Sequence, residues 1–170
     1  SKGSPMSIKV GLLGFGRTGS LVAKEIVSDP ELELCWVCRN NIPTNQKFAS
    51  HSLGYDDSFA EFINPSMLKD QFLVSNPVDL VIDFSAGSSS MYYQLFAKHK
   101  IKIVTAISKY SDDQMNEITE ASISTPILAS PNITLGINWL LIASKVLKKI
   151  IPLADVEIVE EHFRAKRETS

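Results

Sequence analysis

Gly14-Phe15-Gly16-Arg17-Thr18-Gly19 sets glycines at the first, third and sixth positions of a six-residue run. That spacing suits a backbone that must come close to a pyrophosphate. Gly14 permits a tight turn, Gly16 clears the approach path, and Gly19 lets a following helix pack closely on a preceding strand. N–H groups at the start of that helix would then face the phosphates. Phe15, Arg17 and Thr18 share the run and are expected to touch the same ligand. A structural glycine turn has the same spelling, so the flanking elements must decide.

About 20 residues beyond the last glycine, a dinucleotide fold usually places Asp or Glu to bind a ribose 2′-hydroxyl. Here that stretch reads Trp36-Val37-Cys38-Arg39-Asn40-Asn41 and holds no acid. Arg39 can pair with a 2′-phosphate instead, with Arg17 as a second cation, so the expected cofactor is NADP or NAD, with NADPH preferred. The competing reading of Arg39 is a solvated charge at a strand end. Val81-Ile82-Asp83-Phe84-Ser85 ends another strand, at the sheet edge where open α/β folds bind ligands. Phe84 and Ser85 are therefore expected beside the cofactor, although Ser85 to Ser88 would also make an ordinary polar turn.

Cys35 and Cys38, the only cysteines, have CxxC spacing. They fall within the apolar run Leu32 to Cys38, where positions three apart on a strand point to opposite faces. Two reduced, packed thiols are expected, and no metal site.

The elements that must position these residues follow from periodicity. Ile8 to Leu13 is a short β-rich run, the glycines follow it directly, and Leu21, Val22 and Ile26 mark a helix stopped by Ser28-Asp29-Pro30. Leu32 to Arg39 is a second strand and completes a βαβ unit. Asn40 to Gln71 is polar, broken by Pro43, Gly54 and Pro65, with Phe59 and Phe62 suggesting brief helices. Strands are expected at Asp79 to Phe84, Ile101 to Ala106, Ile127 to Ala129 and Asp155 to Glu160. Helices are expected over Ser89 to Lys100, from a Ser111-Asp112-Asp113 cap to Ala121, and over Leu135 to Ile151 before Pro152. Such alternation specifies an α/β fold with a doubly wound parallel sheet.

The chain has 170 residues, 44% hydrophobic and 21% charged, with a net charge of −2. This is the composition of one globular domain with a sizeable core. No general positive field exists to grip nucleic acid, and no apolar run is long enough for a bilayer. The expected partners are small molecules, without nucleic acid or membrane, in the cytoplasm. Residues 1–7, with Ser1-Lys2-Gly3-Ser4-Pro5 ahead of Met6, read as a non-native remnant and disordered start.

Two further segments narrow the reading: Pro131-Asn132-Ile133-Thr134-Leu135-Gly136-Ile137-Asn138, and Val156 to Lys166 with Glu160-Glu161-His162-Phe163-Arg164-Ala165-Lys166. With the glycine turn and Val81 to Ser85, they resemble the dihydrodipicolinate reductase (4-hydroxy-tetrahydrodipicolinate reductase) family over essentially all of Ile8 to Lys166. The family shows a Pro-Asn-Phe-Ser-Val-Gly-Val-Asn type of segment and then a Glu-x-His-His-Arg-x-Lys type.

The resemblance implies reduction by NAD(P)H of a six-membered cyclic dicarboxylate in lysine and diaminopimelate biosynthesis. His162 and Lys166 take the catalytic positions. Lys166 is the expected proton donor, His162 polarises substrate or serves as the alternative acid, and Arg164 binds substrate. Ala106 and Asn132 join the cofactor contacts. Residues 8–130 would form the dinucleotide-binding domain and 131–170 the truncated start of a second α+β domain for substrate and oligomerisation, with a homotetramer expected only of the full-length protein.

The chain departs from the family at Phe163, where a second histidine is usual, and at Ala106-Ile107-Ser108-Lys109, where the family has Gly-Thr-Thr-Gly. After Lys166 it reads Arg167-Glu168-Thr169-Ser170 where a family Asp-Ala-Pro-Ser-Gly-Thr loop is due. These departures keep two other readings open: a noncatalytic nucleotide-binding module, and a related reductase acting on another imine or an amino acid.

Overall fold

The computed structural model describes residues 6–129 and 136–149. The chain divides into two compact units between Ser85 and Ala86. The strands form one sheet in the order β3-β2-β1-β4-β5-β6, and the described pairings are parallel.

In the first unit, β1 (Ile8–Leu13) pairs with β2 (Leu32–Cys38) on one side and β4 (Leu80–Asp83) on the other. The last four residues of β1 and all of β4 are buried, so Val10 to Leu13 and Leu80 to Ile82 read as continuous runs without polar side chains rather than as alternation. Helix α1 (Arg17–Ser28) joins β1 to β2 and buries Gly19, Val22, Ala23 and Ile26, the stripe that a 3.6-residue period puts on one side. Leu21, expected among the helix's apolar positions, lies one step off that stripe and is exposed.

The β1–β2 register shifts once: Val10 faces Leu34 and Gly11 faces Trp36, leaving Cys35 as the extra residue. A Cβ on Gly11 would lie 2.4 Å from the Trp36 ring. The missing side chain is therefore what lets the buried indole cross β1, edge-to-face with Phe72 and donating its Nε1–H to the Asn76 carbonyl at 3.3 Å.

The polar stretch after β2 holds brief helices, α2 (Ala49–Ser52) and α3 (Asp70–Ser75), with a 3₁₀ turn at Pro65–Met67. Phe59 lies in the loop between α2 and the next strand, and Phe62 is not in a helix either. It lies in β3 (Glu61–Ile63), which pairs with β2 as Trp36↔Glu61, Val37↔Phe62 and Cys38↔Ile63. A three-residue strand is too short to show a period, and its tertiary partner decides its state.

In the second unit, a 3₁₀ segment (Gly87–Tyr92) leads into α4 (Tyr93–Lys98), and then come β5 (Lys102–Thr105), α5 (Asp112–Ser122), β6 (Ile127–Ala129) and α6 (Ile137–Lys148). A reciprocal capping box starts α5: Ser111 Oγ accepts from the Gln114 N–H at 3.2 Å, and Gln114 Oε1 accepts from the Ser111 N–H at 2.8 Å. The strand expected at Asp155 to Glu160 lies outside the described residues.

Candidate functional site

Strand β1 ends at Leu13, and the chain turns through Gly14, whose φ of +98° is a region that glycine adopts freely. Its N–H donates to the Cys38 carbonyl at 2.9 Å, tying the turn to β2. On the other side, a Cβ on Gly14 would stand 2.9 Å from the Phe84 carbonyl carbon and 3.1 Å from the Ser85 nitrogen. A Cβ on Gly19 would stand 2.6 Å from the Gly14 oxygen, so that glycine brings α1 down onto the turn.

Gly16 differs from both. A Cβ there would meet nothing within 4 Å, and Gly16 is the N-cap of α1, with no side chain capping the helix and no acid in its first turn. The free N–H groups of that first turn and the open space beside Gly16 form a cradle that a Cβ would fill. It fits the phosphates of a dinucleotide.

Arg39 follows β2, and its N–H donates to the Ile63 carbonyl at 3.0 Å. Its guanidinium carbon lies 5.5 Å from the Phe15 ring centroid and 5.2 Å from that of Phe62. The two rings meet edge-to-face at 5.0 Å. Arg39 forms no ion pair among the described residues. The aromatic pair thus holds a planar cation beside the glycine turn with its N–H donors uncommitted to a carboxylate. Phe62 is the part of this arrangement that sequence reasoning did not find. Only its apolar type marked it, because its partner Phe15 is remote in sequence.

Strand β4 ends at the buried Asp83. The Phe84 N–H donates to the Leu13 carbonyl at 2.8 Å, and Asp83 Oδ1 accepts both the Ser85 N–H at 2.9 Å and the Ser85 hydroxyl at 2.5 Å. Phe84 and the exposed Ser85 are thereby set against Gly14 where the strand order reverses, between β1 and β4. The structure brings Gly14 to Gly19, Arg39, Phe84 and Ser85 together in the first unit.

Ala106 belongs to the second unit, directly after β5. The loop it begins is closed by hydroxyls. The Ile107 N–H donates to Thr105 Oγ1 at 3.2 Å, Thr105 Oγ1 bonds the Tyr110 hydroxyl, and that hydroxyl meets the buried Tyr93 hydroxyl at 3.1 Å. Ser108 and Lys109 are exposed. Asn132, His162, Arg164 and Lys166 lie outside the described residues.

The two thiols are not joined in a disulfide. Cys35 Sγ turns to Glu33, 3.4 Å from Oε2, and burial with that carboxylate pushes its pKa up to about 12. Burial, and then the charge of Asp83, push Cys38 up to about 12 as well. Thiols so protonated are poor nucleophiles and poor metal ligands.

A parallel sheet in the order 3-2-1-4-5-6 with a glycine turn at the reversal defines a dinucleotide-binding domain of the Rossmann class. Residues 8–133 match the family model described as "Dihydrodipicolinate reductase, N-terminus", and the chain belongs to that family. It is 32% identical over 155 residues to the 4-hydroxy-tetrahydrodipicolinate reductase of Caldanaerobacter subterraneus subsp. tengcongensis, covering 90% of this chain and 54% of that protein. It is 31% identical over 158 residues to the reductase of the same name from Buchnera aphidicola subsp. Cinara cedri, covering 89% and 55%. The chain therefore spans about half the length of these relatives.

Among solved structures, dipicolinate-bound dihydrodipicolinate reductase from Paenisporosarcina sp. TG-14 superposes with a TM-score of 0.59 at 17% identity, over 83% of this chain and 54% of that one. Scyllo-inositol dehydrogenase from Lactobacillus casei, with NAD(H) and scyllo-inositol bound, superposes at 0.55 and 16% identity, over 82% and 41%. At these identities the likeness is one of fold.

Proposed function

We propose that this chain forms the cofactor-binding half of an NAD(P)H-dependent reductase that converts dihydrodipicolinate, in its 4-hydroxy-tetrahydro form, to tetrahydrodipicolinate for lysine and diaminopimelate synthesis. The observation that carries the reading is the open, uncapped helix start at Gly16, set in a chain of this family. The backbone of Gly14 to Gly19 holds the pyrophosphate, and Arg39 on its aromatic platform takes a 2′-phosphate, which makes NADPH the preferred cofactor. When bound, the reduced nicotinamide supplies the hydride.

The chain's own residues do the rest. Phe84, Ser85, Ala106 and Asn132 contact the cofactor, and Arg164 pairs with a substrate carboxylate. Lys166 delivers the proton that balances the hydride, and His162 polarises the ring or serves as the second acid. A dianionic substrate favours such a cationic set, and neighbouring positive charge lowers an ammonium pKa toward the range useful for proton donation.

The test is NADPH oxidation by the full-length gene product with freshly generated dihydrodipicolinate. Lys166→Ala should lower turnover by ~10² to 10⁴, the range for a positioned general acid, while NADPH affinity stays near its original value. Unchanged turnover in Lys166→Ala overturns the assignment of the acid. No turnover in the intact protein overturns the reductase and favours a noncatalytic nucleotide-binding module.

A further inference from the structure

We infer that Asp83 is a positioning residue for the nicotinamide half of the cofactor, acting through Ser85; the inference rests on the dinucleotide reading above. The buried Asp83 closes a tight turn on itself, one carboxylate oxygen taking both the N–H and the hydroxyl of Ser85. Phe84 is fixed at the start of the same turn by its N–H bond to Leu13. Asp83 therefore decides where the chain goes next, and Ser85 is the first exposed residue it aims.

The direction follows from the sheet. With the 2′-phosphate at Arg39 beyond β2 and the pyrophosphate over the turn beyond β1, the remainder of an extended dinucleotide lies on the β4 side. The Phe84–Ser85 peptide already stands against Gly14, so nothing bulkier than a glycine fits between the two turns. Gly14 is also held independently from the β2 side, by its N–H bond to Cys38. Loss of the Asp83 carboxylate should thus release the β4 turn without releasing the phosphate cradle.

This separation gives the experiment. Calorimetric titrations of the 170-residue protein use NADPH and adenosine 2′,5′-bisphosphate, which has the 2′-phosphate and the 5′-phosphate but no nicotinamide. Asp83→Ala should weaken NADPH about tenfold, the weight of one charge-assisted hydrogen bond, and leave the bisphosphate within about twofold. Ser85→Ala should weaken NADPH about threefold, and the double variant should bind no worse than Asp83→Ala, because Ser85 acts only when Asp83 aims it.

Asp83→Asn keeps the acceptor oxygen and should recover most of the affinity. If Asp83→Ala loses native circular dichroism, Asp83→Asn replaces it in the cycle, with a loss of about threefold expected for NADPH alone. Additive losses in the double variant overturn the inference, as does equal weakening of both ligands. Wild-type protein that binds neither ligand overturns the dinucleotide reading itself.

Discussion

The guanidinium of Arg39 lies 5.2 Å from the centre of the Phe62 ring, a cation on an aromatic face at the end of the sheet. Phe62 comes from β3 and Phe15 from the glycine turn, so the cation is held by the strand next to its own and by the turn that follows β1. A residue held this way loses little side-chain freedom when a phosphate arrives.

Arg39→Ala should accordingly lower NADPH affinity by roughly tenfold or more, the loss of a charge-assisted contact of ~1.5 to 3 kcal/mol, and leave NADH affinity nearly unchanged. Titration of both cofactors into wild type and variant checks this. Equal wild-type affinities, or a preference that survives the substitution, would contradict the role given to Arg39.

The glycines should separate into two classes in unfolding experiments. Gly11→Ala drives a methyl group into the buried Trp36 ring and should cost ~1 to 3 kcal/mol as overpacking. Gly14→Ala adds a strained backbone to a 2.9 Å clash with Phe84 and should cost a similar ~1 to 3 kcal/mol. Gly16→Val meets open space and loses only the N-cap preference for glycine, so it should lower the unfolding free energy by no more than ~1 kcal/mol. A Gly14→Ala protein as stable as wild type would contradict the close approach of the two turns.

Cys35 and Cys38 should make stability fall in alkali. Each thiol titrates near 9.0 when unfolded and at about 12 when folded, so the folded state holds its proton more tightly. That stabilisation is complete below pH 9 and is lost as pH rises through the folded value of about 12, because the unfolded chain gives up its protons first. Urea midpoints measured upward from pH 8.5 should decline less steeply in a Cys35→Ala, Cys38→Ala protein. A thiol reagent at pH 8 should label the native chain slowly and the denatured chain fast, and rapid native labelling would contradict these protonated thiols.

Lys100 has φ of +59° just past α4, where the Ile101 N–H bonds the Phe96 carbonyl and the Lys100 N–H bonds that of Ala97. This is a Schellman turn with lysine where glycine is favoured. Lys100→Gly should raise stability by ~0.5 to 1 kcal/mol, read as a thermal midpoint about 1 to 4 °C higher. A lower midpoint would show that the lysine side chain contributes more than its backbone strain costs.

The βαβ unit at Ile8 to Cys38 was legible because hydrophobic runs and glycine spacing are local signals. Ser111 announced α5 for the same reason, since a capping box spans only four residues. β3 was not legible, because three residues carry no period and the pairing of Phe62 with Val37 is a long-range fact. The same distance hid the Phe15–Phe62 platform, although Arg39 itself stood out from the missing acid. Gly11 gave no warning either: its reason is the Trp36 ring, placed over it by a register shift at Cys35.

Titration of NADPH into the wild-type and Gly16→Val proteins, with circular dichroism on both, tests most directly whether the glycine turn is a phosphate cradle. A valine side chain would occupy the open space at the uncapped start of α1 without straining the fold. The expected result is saturable NADPH binding by wild type, none by Gly16→Val, and superimposable spectra. Unchanged NADPH affinity in a natively folded Gly16→Val protein would contradict the account, since the turn would then be structural only.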